Sequence, residues 1–218
     1  RQQHSQALQS FFMHIPGLKV IAPTTPHDVK GGLIASIRDN NPVIFIEHRM
    51  LYKNAGYVPS DTYEIKFGKG RVLREGNDIT IVGVSHSVED SLRAADLLKG
   101  VGVNAEVIDP ISLSPIDNEI IRDSVNKTKK LLVVDNGWMK CGFSAEIIAD
   151  VATNCESILC QRLGFPETPC PTTPSLEKYF YPNPQNIAKK ANEMCGGDSE
   201  WSPPEVVQHE IVSFKGPF

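Results

Sequence analysis

Between residues 78 and 163 the chain alternates short apolar, β-branched runs with amphipathic stretches of helical length, and this alternation narrows the possible architectures more than any other feature. Residues 78–84, 105–108, 131–134 and 158–163 read as strands. Between the first two, Val88, Leu92, Ala95 and Leu98 predict the buried face of a helix, opened by Ser87 as cap and closed by Gly100 and Gly102. Ser114-Pro115-Ile116-Asp117 predicts a second capped start, with Ile116, Ile120, Ile121 and Val125 facing inward. Asp135-Asn136-Gly137 reads as a turn, and Phe143, Ile147, Ile148 and Val151 mark a third helix. Strict alternation predicts an α/β domain with a mainly parallel sheet between helices. Ligands or partners are expected at the carboxyl ends of those strands.

The first fifty residues carry a smaller version of the same pattern. Ala7, Leu8, Phe11 and Phe12 fall at helical spacing and Pro16-Gly17 stops the run. A strand at 18–22 leads to Thr25-Pro26-His27-Asp28, which combines an N-cap, a proline at the first helical position and an acid in the first turn. Val29, Leu33, Ile34 and Ile37 then predict one apolar helix face, and 43–46 a strand covered on both sides. Strand, helix and strand form a crossover unit that cannot close a core alone, so further layers from an upstream part or from a partner are expected. The division expected is 1–50, a linker at 51–66, a second domain at 67–195 ending in a helix at 186–194, and an irregular tail at 196–218.

Composition excludes several classes. The net charge of −4 arises from 22 basic and 26 acidic residues scattered without runs, so neither nucleic acid nor a membrane surface is an expected partner. No apolar run reaches the roughly 18 residues a spanning helix needs, and the chain reads as soluble. Five cysteines without C-x-x-C spacing favour a reducing compartment over a disulfide framework or a zinc site.

Particular segments carry a family resemblance: Gln3-His4-Ser5-Gln6, His14-Ile15-Pro16-Gly17-Leu18-Lys19-Val20, Ala35-Ser36-Ile37-Arg38-Asp39-Asn40-Asn41-Pro42, Val107-Ile108-Asp109-Pro110, Ser124-Val125-Asn126-Lys127-Thr128 and Ser144-Ala145-Glu146-Ile147. The chain resembles the beta subunit of the thiamine-diphosphate-dependent decarboxylase component of 2-oxo acid dehydrogenases of the pyruvate, branched-chain or acetoin type. The resemblance implies the last part of a pyrimidine-binding, transketolase-like domain at 1–50, followed by a transketolase C-terminal-type domain. It implies oxidative decarboxylation of a 2-oxo acid, pyruvate foremost, with acyl transfer to lipoyl-lysine. The glutamate that activates the cofactor is expected upstream of Arg1, and the diphosphate and magnesium site on an alpha subunit, so this chain alone is expected to be inactive and to supply no cofactor-binding residue. The implied partners are that alpha subunit, a second copy through the C-terminal domain, and the lipoyl acyltransferase core. The implied compartment is the cytoplasm, or the mitochondrial matrix in a eukaryote.

His4 matches the family histidine that faces the reacting carbon, where an imidazole titrating near neutrality suits proton handling. The turn after the second helix matches a monovalent-cation loop, in which carbonyls of Ser36, Ile37 and Asp39 and the side chain of Asn41 would hold potassium. Asp135-Asn136-Gly137 departs from the family's Glu-Gly or His-Glu, His86 reads as a solvated helix-start residue ahead of the alternative that it lines an interface or site, and His14, His27, His48 and Pro169-Cys170-Pro171 read as structural. The alternatives are the C-terminal section of a transketolase or deoxyxylulose-phosphate synthase, which QHSQ and IRDNNPV argue against, and a non-catalytic assembly module.

Overall fold

The computed structural model describes residues 5–205. In chain order the elements are α1 (Gln9–Met13), β1 (Lys19–Ile21), α2 (Pro26–Arg38), β2 (Val43–Phe45), a 3-10 turn (Arg49–Lys53), β3 (Arg71–Arg74), β4 (Ile79–Gly83) and α3 (His86–Lys99). There follow β5 (Ala105–Asp109), β6 (Ser112–Ser114), α4 (Asn118–Thr128), β7 (Lys130–Trp138), α5 (Phe143–Asn154), β8 (Leu159–Phe165), α6 (Pro174–Glu177) and α7 (Pro184–Met194).

The first three regular elements after α1 form as the sequence predicts. Thr25 caps α2 by accepting the Asp28 N–H at 3.2 Å, with Pro26 in the first turn. β1 and β2 pair in parallel, Lys19 opposite Val43 and Ile21 opposite Phe45. The expected face of α2 is corrected, however: Leu33 is 46% and Ile37 76% exposed, while Asp28, Gly31, Gly32 and Ala35 are buried. Small residues win because neighbours press against the helix backbone itself. A Cβ on Gly31 would lie 2.7 Å from the Tyr63 ring, and one on Gly32 2.8 Å from Ile21. β2 is likewise half-buried rather than covered on both faces.

The sheet begun by β1 and β2 is completed from far down the chain. β6 pairs antiparallel with β1, giving the order β2-β1-β6. Ser114 is therefore a strand residue whose hydroxyl donates to the Leu18 carbonyl at 3.2 Å, and α4 starts later than expected, with Asp117 at its N-cap position.

The larger sheet has the order β3-β5-β4-β7-β8, with β5, β4, β7 and β8 parallel and β3 antiparallel at one edge. Alternate residues of each strand face opposite layers. Ile79, Ile81, Leu132 and Val134 meet Ala94, Ala95 and Leu98 of α3 and Ile187 and Ala191 of α7. Val82, Leu131 and Val133 meet Ile121 and Val125 of α4 and Phe143, Ile147 and Val151 of α5. Val20, Ala22 and Leu113 join this second layer, so the small sheet is continuous with the core of the large one.

Other expectations are also corrected. β7 does not turn at Asp135 but runs on to Trp138. α3 begins at His86 rather than behind Ser87, because the Ser87 hydroxyl is drawn inward, accepting the Val84 N–H at 2.7 Å and bonding the Val134 carbonyl at 2.8 Å. α7 begins at Pro184 under a capping box between Asn183 and Asn186.

Candidate functional site

The carboxyl ends of β7 and β8 form a ledge on which residues 5–9 lie. Gln9 is buried and its side-chain amide donates to Asp135 Oδ1 at 3.1 Å and to the Asn136 carbonyl at 3.3 Å. The other oxygen of Asp135 accepts the Ser144 N–H, at the start of α5, at 3.0 Å. Asp135 is fully buried, and that burial pushes its carboxyl above the usual range against the pull of these donors. Gly137 permits the approach: a Cβ there would sit 2.7 Å from the Gln9 amide nitrogen and 3.4 Å from Ala7 Cβ.

Beside this carboxylate lies an aromatic wall. Phe165 packs against Trp138, Phe180 and Tyr181 with centroids 5.7, 4.7 and 5.3 Å away. Ala7 packs against the same cluster, and the Tyr181 hydroxyl bonds both the Ser5 side chain and Cys170 Sγ, the latter at 3.2 Å. Burial, and next the Cys170 contact, push Tyr181 up to about 12. Cys170, between two prolines, is buried and architectural as expected.

His4 itself lies outside the described residues. Ser36, Ile37, Asp39 and Asn41 come together where α2 ends and Asp39 turns to an extended ψ of 139°. Carbonyls at that end lack intrahelical partners and carry partial negative charge. Asp39 Oδ1 accepts the Asn41 backbone and side-chain N–H groups at 2.8 and 3.0 Å, while Oδ2 pairs with Lys19. Lys19, and next Asn41, hold the Asp39 carboxyl down at about 2. The Asn41 amide thus donates to Asp39, and Lys19 meets the carboxylate's charge. The loop fits a monovalent ion held by neutral oxygens better than a divalent one.

Between α2 and the 3-10 turn that follows β2, a cleft of about 340 Å³ is lined by Thr24, Leu33, Glu47, His48, Leu51 and Tyr52. His48 stacks on His86, which is buried at 8% exposure rather than solvated. Burial, with His86 as the lesser cause, drives His48 down to about 3. Among the described residues no group of three or more His, Cys, Asp or Glu could hold a metal ion. Nor is any helix among them long and apolar enough to cross a membrane.

Sequence reasoning missed Gln9, Asp135 and Tyr181 as a set. Gln9 was the available signal, a long polar side chain at the start of a short helix rich in apolar residues, but its partner lies 126 residues away.

A parallel α/β sheet coupled through β6 to a strand–helix–strand unit is the architecture of transketolase-type domains. Residues 1–54 match the transketolase pyrimidine binding domain and residues 68–187 the transketolase C-terminal domain. The chain is 42% identical over 197 residues to the acetoin:2,6-dichlorophenolindophenol oxidoreductase subunit beta of Bacillus subtilis (strain 168), covering 89% of this chain and 58% of that protein. It is 41% identical to the mitochondrial pyruvate dehydrogenase E1 component subunit beta of Caenorhabditis elegans, covering 86% of this chain and 55% of that one. A solved structure titled split gene transketolase, inactive beta4 tetramer, shares the fold with a TM-score of 0.75 at 21% identity, covering 89% of this chain and 63% of the other. The chain belongs to the family of the transketolase C-terminal domain, preceded by a match to the transketolase pyrimidine binding domain, and is similar to these beta subunits. It spans less than two thirds of the length of these relatives.

Proposed function

We propose that this chain works within the beta subunit of a thiamine-diphosphate-dependent decarboxylase component that oxidatively decarboxylates a 2-oxo acid, pyruvate foremost, and passes the acyl group to lipoyl-lysine. The observation that carries this reading is the 36 to 41% identity, over nearly nine tenths of the chain, to proteins named as pyruvate and 2-oxoisovalerate dehydrogenase beta subunits. The division into 1–50, a linker at 51–66, a C-terminal-type domain at 67–195 and a tail from 196 belongs to the same reading.

In that assembly an alpha subunit holds the cofactor's diphosphate and magnesium, and the second domain of this chain mediates pairing and docking to the acyltransferase core. The cofactor supplies the carbanion chemistry of decarboxylation. His4 handles protons at the reacting carbon and assists acyl transfer, for which an imidazole titrating near neutrality is suited. The Ser36, Ile37, Asp39 and Asn41 loop holds potassium, stiffening the end of α2 next to β2. Support for the loop's role is the convergence of its backbone turn and the Asn41 amide at a helix C-terminus.

Acetoin is a second candidate donor, favoured by the 42% identity to acetoin oxidoreductase beta subunits from two bacteria. The test is co-expression of the parent beta subunit with its alpha subunit, followed by dye reduction with pyruvate, branched-chain 2-oxo acids and acetoin. The expected result is turnover with one 2-oxo acid that depends on thiamine diphosphate and falls at least about a hundredfold in His4→Gln, the scale on which a positioned acid–base group contributes. An assembled, cofactor-loaded complex that turns over none of these donors overturns the proposal. Selective turnover of acetoin replaces the substrate.

A further inference from the structure

Two buried carboxyl groups compete for one guanidinium where the strand–helix–strand unit meets the edge of the large sheet. Arg71 on β3 lies directly opposite Asp109 in the antiparallel ladder with β5, which sets their Cβ atoms about 5 Å apart on one face of the sheet. The guanidinium nevertheless reaches past this neighbour to Asp28 on α2. Asp28 and Asp109 are both buried, so one cation faces two acids, and a second buried charge without a partner of its own is unfavourable. Asp109 Oδ1 accepts the Ile111 N–H at 2.9 Å, whereas Oδ2 has no hydrogen-bond partner among the described residues. Burial, and after it Asp28, push Asp109 up to about 6 against the pull of Thr24, the Ile111 N–H and Arg71.

Thr24 is the part that switches. Its hydroxyl donates to the Ser85 carbonyl, just before α3, at 3.3 Å, and it also lies within reach of the Asp109 carboxyl. A hydroxyl has one hydrogen to give. With Asp109 charged, that hydrogen is drawn to the carboxylate; with Asp109 protonated, it is left to the Ser85 carbonyl, and Arg71 is left to Asp28. Both of those bonds cross the same joint, since Thr24 and Asp28 lie within residues 1–54 and Arg71 and Ser85 within residues 68–187.

We propose that Asp109 is a proton-operated clasp: uptake of one proton from solvent at Oδ2 tightens the joint between the strand–helix–strand unit and the second domain, and its release loosens it. Asp109 binds its proton more tightly in the folded chain than at the ordinary value of 3.8, so the stabilisation is complete below that value and is lost as pH rises through about 6. His48 works in the opposite direction, favouring the folded chain as pH rises, so it cannot imitate the clasp. The groups that face Asp109 most directly are Arg71 on β3 and Asp28 on α2, with the His27 ring 3.0 Å from Asp28. Farther out, Lys69 is matched by Asp117 at the start of α4, and His86 by Asp90 on α3. His27 is the competitor among these, because a proton on its ring would strengthen its own bond to Asp28.

The test is hydrogen–deuterium exchange of the full chain at pH 5 and pH 7.5, corrected for the intrinsic exchange rate and read at the amides of residues 22–30 and 85–90. The wild-type chain is expected to be about tenfold more protected at pH 5 in both segments, the factor that a carboxyl titrating near 6 contributes over that interval. Asp109→Asn keeps the shape without titrating and is expected to be equally protected at both pH values. Thr24→Val is expected to keep the pH effect at 22–30, through Arg71, and to lose it at 85–90. Wild-type protection that is unchanged or lower at pH 5 overturns the clasp, and so does a pH effect that survives Asp109→Asn or disappears in His27→Gln. Where Asp109→Asn fails to fold, the wild-type, Thr24→Val and His27→Gln measurements decide by the same criteria.

Discussion

The imidazole of His48 stacks on that of His86 with ring centroids 5.0 Å apart and planes 20° from parallel. His48 follows β2 and His86 opens α3, so the stack joins the small sheet to the first helix of the larger domain. The Nδ1 of His48 accepts the Met50 N–H at 3.3 Å, which requires that nitrogen to be unprotonated.

A pH dependence of stability follows. Burial first, and then His86, lowers His48 in the folded chain to about 3, below the ordinary histidine value. Between the folded and unfolded values the unfolded chain binds the extra proton, so stability rises with pH across that window and is lost as pH falls from about 6.5 toward 3. The slope within the window is about 1.4 kcal/mol per pH unit from this group. Thermal unfolding of the wild-type chain and of His48→Gln, followed from pH 7 to pH 4.5, should show a shallower decline for the variant. Parallel curves would mean that the stacked pair does not titrate as the geometry requires.

The Asp28–Arg71 ion pair is a further link between the two parts. Asp28, 1% exposed on the buried face of α2, also bonds Thr25 and the His27 ring, at 2.6 and 3.0 Å, while Arg71 reaches it from the edge strand β3. Removing the guanidinium leaves the buried carboxylate with the Thr25 hydroxyl and the His27 ring. Arg71→Met is expected to lower unfolding free energy by about 2 to 4 kcal/mol, below the roughly 3 to 5 kcal/mol for a fully buried pair because the Arg71 side chain is 39% exposed. The check is the urea midpoint at pH 7, with Asp28→Asn in the same background restoring part of the loss.

Gly76 sits where β3 turns away from β5. A Cβ there would lie 2.3 Å from both the Ala105 carbonyl carbon and the Glu106 nitrogen, which are backbone atoms that cannot swing aside. Gly76→Ala is therefore expected to destabilise by about 3 kcal/mol, the scale of overpacking against fixed neighbours. Limited proteolysis should then cut first within residues 71–77, because the edge strand is the element displaced. Wild-type stability in this variant would show that β3 is not held as described.

What could be read in the sequence was whatever depends on near neighbours. The alternation from residue 78 onward predicts the parallel sheet, and Thr25-Pro26-His27-Asp28 marks the start of α2 to the residue, because both signals are complete within a few positions. β3 and β6 were missed for the opposite reason: at four and three residues they have no period to detect, and their strand character comes from partners tens of residues away. The face of α2 was misread because Leu33 and Ile37 outweigh glycines in any apolar pattern, whereas the close approach of Tyr63 and Ile21 demands glycine. The Gln9–Asp135 contact depends on β7 continuing past a sequence that has every mark of a turn.

The α2 terminus offers a test by ion substitution. If the Ser36, Ile37, Asp39 and Asn41 oxygens hold potassium, the folded chain binds an ion that the unfolded chain does not, and potassium must stabilise it by mass action. At potassium tenfold above its Kd the gain is about 1.4 kcal/mol, visible as a higher thermal midpoint in potassium chloride than in choline chloride at equal ionic strength. Asn41→Ala should abolish the difference, because it removes the side-chain oxygen and leaves the backbone turn. Lys19→Met should enlarge it, since the ammonium paired with Asp39 competes electrostatically with any cation beside that carboxylate. Equal midpoints in the two salts for the wild-type chain would assign the loop to the Lys19–Asp39 pair alone, with the Asn41 amide serving only to complete the turn.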